Sequence, residues 1–254
     1  MISKNKIRFI SSLHLKKARD KENLFIIEGE KIIKEFLETR IHFKILAATT
    51  EFISALPSFA LKQIENIEIA SNNELKQMSS LKTPNNALAV LDKLYNNEIE
   101  DSLTEKLSVA LDCIQDPGNL GTIIRAAAWF GIDTILCSND CVDVYNSKVV
   151  QASMGALLHV KVHYTDLAKY FKNINEISVY GALLEGNTIY TQPISNKGII
   201  LLGNESKGIS ENLLPFITHK ISIPGTHSFK YGIDSLNVGM AASIIFSEFY
   251  RRTL

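Results

Sequence analysis

Cysteine is scarce: the 254 residues hold only Cys113, Cys137 and Cys141, none in paired Cys-x-x-Cys spacing. An odd set without that spacing excludes a disulfide framework and a zinc cluster, so no metal site is expected. Long apolar runs are also missing. The longest uncharged stretch, between Asp234 and Glu248, is 13 residues, against the roughly 20 that a membrane helix needs. No membrane partner is expected. With 13 Gly and 6 Pro the chain is neither collagenous nor low-complexity. The start, MISKNKIRF, has no apolar segment after its basic residues, so it is not a secretory signal and a cytoplasmic location is expected. Neither GxGxxG nor GxxxxGK[ST] occurs at the strand-to-helix loop 115–121 (QDPGNLG), which excludes a dinucleotide fingerprint and a P-loop there.

What is present is a globular composition, 46% apolar and 21% charged, with 27 basic side chains balancing 27 acidic ones. The length suits one large or two modest domains. The zero net charge conceals an asymmetry. Residues 1–21 carry Lys4, Lys6, Arg8, Lys16, Lys17, Arg19 and Lys21 against the single acid Asp20. Such a cluster is either a solvated helix face or a docking site for a polyanion.

Periodicity predicts a helix over 3–18 with Ile7, Ile10 and Leu13 inward. Short strands follow (24–28, 43–49, 64–70 and 87–94), with a helix at 29–38 burying Ile32, Ile33, Phe36 and Leu37. These make a small α/β domain over 1–94. The polar stretch 95–106 reads as a linker. From 107 onward, strands (LSVALD, DTILC, HVKV, SVYGALL, GIILLG, HKISIP) alternate with helices, including TIIRAAAWF, VYNSKVVQASMGAL and a long C-terminal helix. That alternation predicts a parallel sheet in a second α/β domain over 107–254. Ligands in such sheets bind beyond the carboxyl ends of the strands.

Three loops carry polar residues that a core does not need. The first holds Asn119, a candidate helix cap, with Arg125 one turn into an otherwise apolar helix. The second is Gly203-Asn204-Glu205-Ser206-Lys207-Gly208, two glycines around a carboxylate at a strand end. The third is Asp234-Ser235-Leu236-Asn237, where Ser235 is a good N-cap for the last helix. Ala126, Ala127, Ala128, Gly239, Ala241 and Ala242 offer small surfaces on which a second subunit could pack.

Residues 112–131 (DCIQDPGNLGTIIRAAAWFG), 199–209 (IILLGNESKGI) and 221–245 (ISIPGTHSFKYGIDSLNVGMAASII) resemble the three motifs of the SpoU (TrmH) RNA ribose methyltransferases, of the SPOUT class. The stretch 147–162 is similar to the segment between the first and second motifs, and residues 3–36 resemble the family's N-terminal substrate-binding domain. The resemblance implies S-adenosylmethionine as cofactor, a trefoil knot, a homodimer, and an RNA substrate, ribosomal RNA before transfer RNA. It implies site residues Asn119, Arg125, Glu205, Ser235 and Asn237, with Gly203, Ile223 and Leu236 touching the cofactor. The connection from Pro224 to Ser235 is longer than the family's usual one, which makes His227 and Lys230 candidates for local contacts. Two other readings stay open: an RNA-binding protein without methyl transfer, and a different nucleotide-binding α/β enzyme in which Arg125 and Glu205 form a structural ion pair.

Overall fold

The basic N-terminal segment does not form one helix. A computed structural model, describing residues 2–94, 106–174, 177–225 and 235–254, breaks it into α1 (Lys4–Ser12) and α2 (Lys16–Glu22). The cause is Arg19. Its guanidinium is 2% exposed and donates to the carbonyls of Leu13 (2.9 Å) and His14 (2.8 Å). Arg19 therefore fills the carbonyls of the turn between the helices, a structural use of a charge that belongs to the expected docking cluster. Ile10 and Leu13 are buried as the pattern requires.

The chain divides into two compact units, Met1–Leu94 with Tyr145–Leu158, and Tyr95–Val144 with His159–Leu254. Of the expected linker 95–106, only Lys106 lies among the described residues.

In unit 1, β1 (Leu24–Glu28), β2 (Phe43–Ala48), β3 (Ile64–Ile69) and β4 (Ala87–Asp92) form a sheet in the order β1-β4-β2-β3. β4 runs antiparallel to both neighbours, and β2 and β3 run parallel. Helix α3 (Glu30–Glu38) buries Ile32, Ile33, Phe36 and Leu37, the apolar stripe of its sequence. Short helices α4 (Thr50–Ser54) and α5 (Ser58–Leu61) lead to β3, and α6 (Asn72–Met78) follows it behind a Ser71–Glu74 capping box.

Unit 2 is built on β5 (Leu107–Leu111), α7 (Pro117–Trp129) and β6 (Thr134–Ser138). The chain then contributes α8 (Ser147–Ser153) to unit 1. This helix is shorter than the sequence pattern suggests because Met154 turns left-handed (φ 49°) and Gly155 follows at φ +83°. β7 (Lys161–Thr165), α9 (Leu167–Asn173), β8 (Val179–Thr188), β9 (Gly198–Leu202), β10 (His219–Ser222) and α10 (Val238–Arg251) complete unit 2. The six strands run parallel in the order β10-β8-β9-β5-β6-β7. Every residue of β9 is buried, as expected of a strand central to a parallel sheet.

The last turn of α10 is anchored by charge. Glu248, 6% exposed, accepts from Arg251 Nε and Arg252 Nε at 2.8 Å each, while Arg252 also donates to the carbonyls of Gln192 and Ile189. The Arg251 hydrogen bond, with that of Arg252, holds the Glu248 carboxyl down at about 2, below its ordinary 4.5. A depressed carboxylate contributes stability above its unfolded pKa and loses it as pH falls through the folded one. Glu248→Gln should therefore cost about 1–2 kcal/mol at pH 7, discounted because Arg251 lies largely in solvent. The cost should vanish as pH falls from about 4.5 toward 2. Urea unfolding of both proteins across that range checks it.

Candidate active site

The order of the sheet decides where a ligand can sit. From β5 the chain moves outward through β6 and β7, then returns on the other side of β5 through β8 and β9. The reversal lies between β5 and β9, the switch point at which open parallel sheets bind ligands.

Two loops leave that point together. After β5, the buried Asp112 accepts from Ser210 N (2.7 Å). Cys113 follows in a left-handed conformation (φ 56°), with its N–H donating to Ser138 Oγ (2.8 Å). Burial, with Asp140 beside it, pushes the Cys113 thiol up to about 11, so it stays protonated near neutrality and is no nucleophile. After β9, Asn204 and Gly208 exchange both backbone hydrogen bonds (2.9 and 2.8 Å), closing a tight hairpin. A side chain on Gly203 would run into the carbonyl group of Gly208, and Gly208 sits at φ +70°, so both positions need glycine. Asn204 ties the loops together. Its Oδ1 accepts from Ser206 N (3.0 Å) and Lys207 N (3.2 Å), and its Nδ2 donates to Cys113 O (2.8 Å).

Helix α7 starts five residues before its expected first residue because Asp116, with Pro117 after it, is the cap: Asp116 Oδ1 accepts from Asn119 N at 2.8 Å. Asn119 is thus relieved of capping, and its side chain points elsewhere. At α10 the cap is Asn237, not Ser235; Asn237 Oδ1 accepts from Gly239 N (3.0 Å) and Met240 N (3.3 Å). Both amides then meet one carboxylate. Glu205 Oε1 accepts from Asn119 Nδ2 (2.7 Å), Asn237 Nδ2 (2.7 Å) and Val238 N (3.3 Å), and Asn237 Nδ2 also reaches Asn119 Oδ1 at 2.9 Å. The starts of α7 and α10 and the β9 hairpin are locked into one polar ring.

The SpoU rRNA methylase family profile matches residues 106–247, and that of the MRM3-like substrate binding domain matches residues 4–89. The chain belongs to the SpoU rRNA methylase family.

Over 94% of both chains it is 30% identical to the 23S rRNA (guanosine(2553)-2'-O)-methyltransferase RlmP of Bacillus subtilis. A TrmH-family structure from Porphyromonas gingivalis superposes with TM-score 0.85 at 36% identity, covering 99% of each chain. An AdoMet-bound rRNA methyltransferase from Sinorhizobium meliloti shares the fold, with TM-score 0.85 at 24% identity over 100% of this chain and 97% of that one.

Of the five residues expected from the SpoU motifs, the structure brings Asn119, Glu205 and Asn237 into hydrogen-bond contact. Arg125 stands apart, exposed on α7, and Ser235 is exposed ahead of the helix. The ion pair between Arg125 and Glu205 that a different α/β enzyme would need is replaced by the amide ring. Gly203 and Ile223 are half-buried and Leu236 is 47% exposed. His227 and Lys230, in the long connection, lie outside the described residues.

Three residues were not singled out from the sequence: Asp112, Asp116 and Asn204. Asp116-Pro117 is a readable cap signal. Asp112 and Asn204 bond across 98 and 91 residues of chain, and no local pattern marks them. Trp129, 83% exposed on the face that carries Arg125, was also missed.

Glu205→Ala removes the acceptor shared by three donors, so methyl transfer should fall by roughly 10- to 100-fold. Glu205→Gln keeps one acceptor oxygen and should fall less. Single-turnover rates of both variants check this; equal losses would mean that the charge, not the ring, matters.

Proposed function

We propose that this protein transfers the methyl group of S-adenosylmethionine to a ribose 2'-hydroxyl of ribosomal RNA. The observation that carries the reading is the Asn119–Glu205–Asn237 ring at the β5/β9 switch point of a SpoU-family chain. Supporting it, the Bacillus subtilis relative bears the name of a 2'-O-methyltransferase, and the Sinorhizobium meliloti structure is bound to AdoMet.

The residues suit the cofactor. Glycine at 203 lets the two arms of the hairpin close on each other, and Gly208, with nothing within 4 Å of where a side chain would start, leaves its backbone open to a ligand. Gly203, Ile223 and Leu236 would hold the cofactor mainly through backbone groups, with Ser235 and Asn237 positioning the hydroxyl or the methionine part. When bound, S-adenosylmethionine supplies a sulfonium methyl as electrophile. The protein's task is in-line placement of the ribose hydroxyl and support of the negative charge on its oxygen as its proton passes to solvent water. A guanidinium is already protonated and offers donors but no acceptor, so it does not take up that proton. Arg125 instead holds the RNA phosphate and the developing negative charge.

The exposed Lys16 and Lys17 on α2 dock RNA; Arg19, buried, takes no part. A homodimer on α7 and α10 and a deep trefoil knot around the cofactor loops belong to the same reading, as does a cytoplasmic location alongside the ribosome. Among the described residues no helix is long and apolar enough to cross a membrane. Ala127, Gly239 and Ala242, expected at the subunit interface, are buried within unit 2, and Gly239 lies against Thr122 of α7. In this proposal the dimer face keeps the half-buried Ala126, Ala128 and Ala241 and adds Trp129 and Met240, which are 83% and 58% exposed.

Tritiated-methyl transfer to ribosomal RNA from cells lacking the gene tests the reaction, and no incorporation would overturn it. Arg125→Ala should cut kcat by roughly 100-fold with S-adenosylmethionine binding near normal. Lys16→Ala with Lys17→Ala should leave kcat alone, raise Kd for RNA, and flatten the salt slope by about 1.4. An unchanged slope would make these lysines a solvated face.

Trp129 is the sole tryptophan, so its emission reports the dimer face directly. Diluting the protein from micromolar to nanomolar should shift emission to the red as Trp129 meets water. Constant emission together with monomeric sedimentation at micromolar concentration would overturn the dimer.

A further inference from the structure

Unit 1 contains a cavity of about 400 Å³ that methyl transfer does not use. It lies among the start of α3, the 84–86 turn and the end of α8, and its volume falls in the range of ligand sites. Two of the carboxylates on its wall are already committed. Glu28 accepts from Ser79 Oγ, Ser80 N (3.2 Å) and Ser80 Oγ (3.3 Å); Glu30 accepts from Asn86 Nδ2 (2.8 Å) and pairs with Lys34 at 3.8 Å.

The remaining polar groups have no such partners. Glu35 is half-buried with no hydrogen bond or ion pair among the described residues, and the amides of Asn85 and Gln151 make no hydrogen bond among them either. A side chain on Gly155 would collide with the Glu35 carboxylate, so the Met154-Gly155 pair is what lets that carboxylate sit against the chain. Met154 is the left-handed residue that caps the end of α8, and its side chain is 44% exposed beside the cavity. The cavity thus presents one carboxylate, two amides, the apolar surfaces of Met154 and Pro84, and the cation Lys31.

We propose that this cavity receives an unpaired guanine of the RNA substrate, with Glu35 accepting its N1–H and N2–H. Guanine alone among the four bases offers two adjacent donors on its Watson–Crick edge, matching the two oxygens of a carboxylate. Adenine and cytosine set an acceptor beside their amino group, and uracil has one donor between two carbonyls. RNA is read in this way where single-stranded bases are splayed out and hydrogen-bonded on their Watson–Crick edges; here Met154 and Pro84 would cover the ring faces. The amides of Asn85 and Gln151 suit O6 and N7, and Lys31 suits the neighbouring phosphate. The inference rests on the reading of unit 1 as the RNA-docking part of the chain.

Methionine methyl groups provide the test, because the chain has only Met1, Met78, Met154 and Met240. In protein labelled with [13C-methyl]methionine, Met154 reports the cavity, Met240 reports the exposed start of α10, and the fully buried Met78 reports the fold. Millimolar guanosine 5'-monophosphate should shift the Met154 signal. Inosine 5'-monophosphate, lacking the N2 amine, should bind several-fold more weakly, and adenosine 5'-monophosphate should leave the signal in place. Glu35→Gln should weaken guanosine monophosphate about 10-fold and erase the preference over inosine, with Met78 unmoved; with RNA it should raise KM and spare kcat. A guanosine monophosphate response at Met240 alone, no response, or the same base preference in Glu35→Gln would overturn the proposal. Mononucleotide binding needs neither cofactor nor ribosomal RNA, so a failed methylation assay with a positive Met154 shift rejects the proposed function and not the cavity.

Discussion

The site depends on one constraint: β9 lies directly beside β5 in a parallel sheet whose central strands are buried. Parallel strands end on the same side, so neighbours must release their following loops next to each other. The chain then adds only short links to make a rigid platform. Asn204 Nδ2 to Cys113 O and Ser210 N to Asp112 Oδ2 join the loops on either side of Glu205. Asn119 and Glu205, 86 residues apart in sequence, come within hydrogen-bond reach because the backbone beneath them is already fixed.

Much of this was legible in the sequence because hydrophobic pattern and motif order carry it. Strand-helix alternation after 107 marks a parallel sheet, and the apolar stripe of α3 is buried as its spacing requires. What could not be read has a common physical origin, side chains satisfying backbone groups at a distance or at a break. A basic residue within a basic cluster looks solvated, yet Arg19 fills the carbonyls of a helix break. Ser235 looks like a cap, yet Asn237 takes that role because an amide can accept from the helix and donate to Glu205 at once. A serine hydroxyl can accept and donate too, but its one proton could serve only one of Glu205 Oε1 and Asn119 Oδ1, both of which Asn237 Nδ2 reaches, and an aspartate would set a second negative charge against Glu205.

The same logic applies to α8. Its sequence continues a helical pattern beyond Ser153, but the left-handed Met154 and Gly155 end the helix where Glu35 approaches. A pattern argument sees apolar residues at helical spacing; it does not see a carboxylate arriving from more than a hundred residues earlier in the chain. Tertiary contact decides the boundary here.

The distribution of charge at the switch point bears on the chemistry. A carboxylate near an arginine ordinarily draws it into an ion pair, which would remove the guanidinium from service. Among the described residues Glu205 makes no ion pair with Arg125; amide and backbone donors crowd one of its oxygens instead. Neutral amides satisfy the carboxylate without adding positive charge, so the site keeps its cation uncommitted on the outer face of α7. In the reaction we propose, a phosphate or a forming alkoxide would meet an arginine that need not break an existing bond to respond. In that proposal the polar ring and the exposed arginine have separate parts: the ring satisfies the carboxylate with neutral donors, and the arginine stays available.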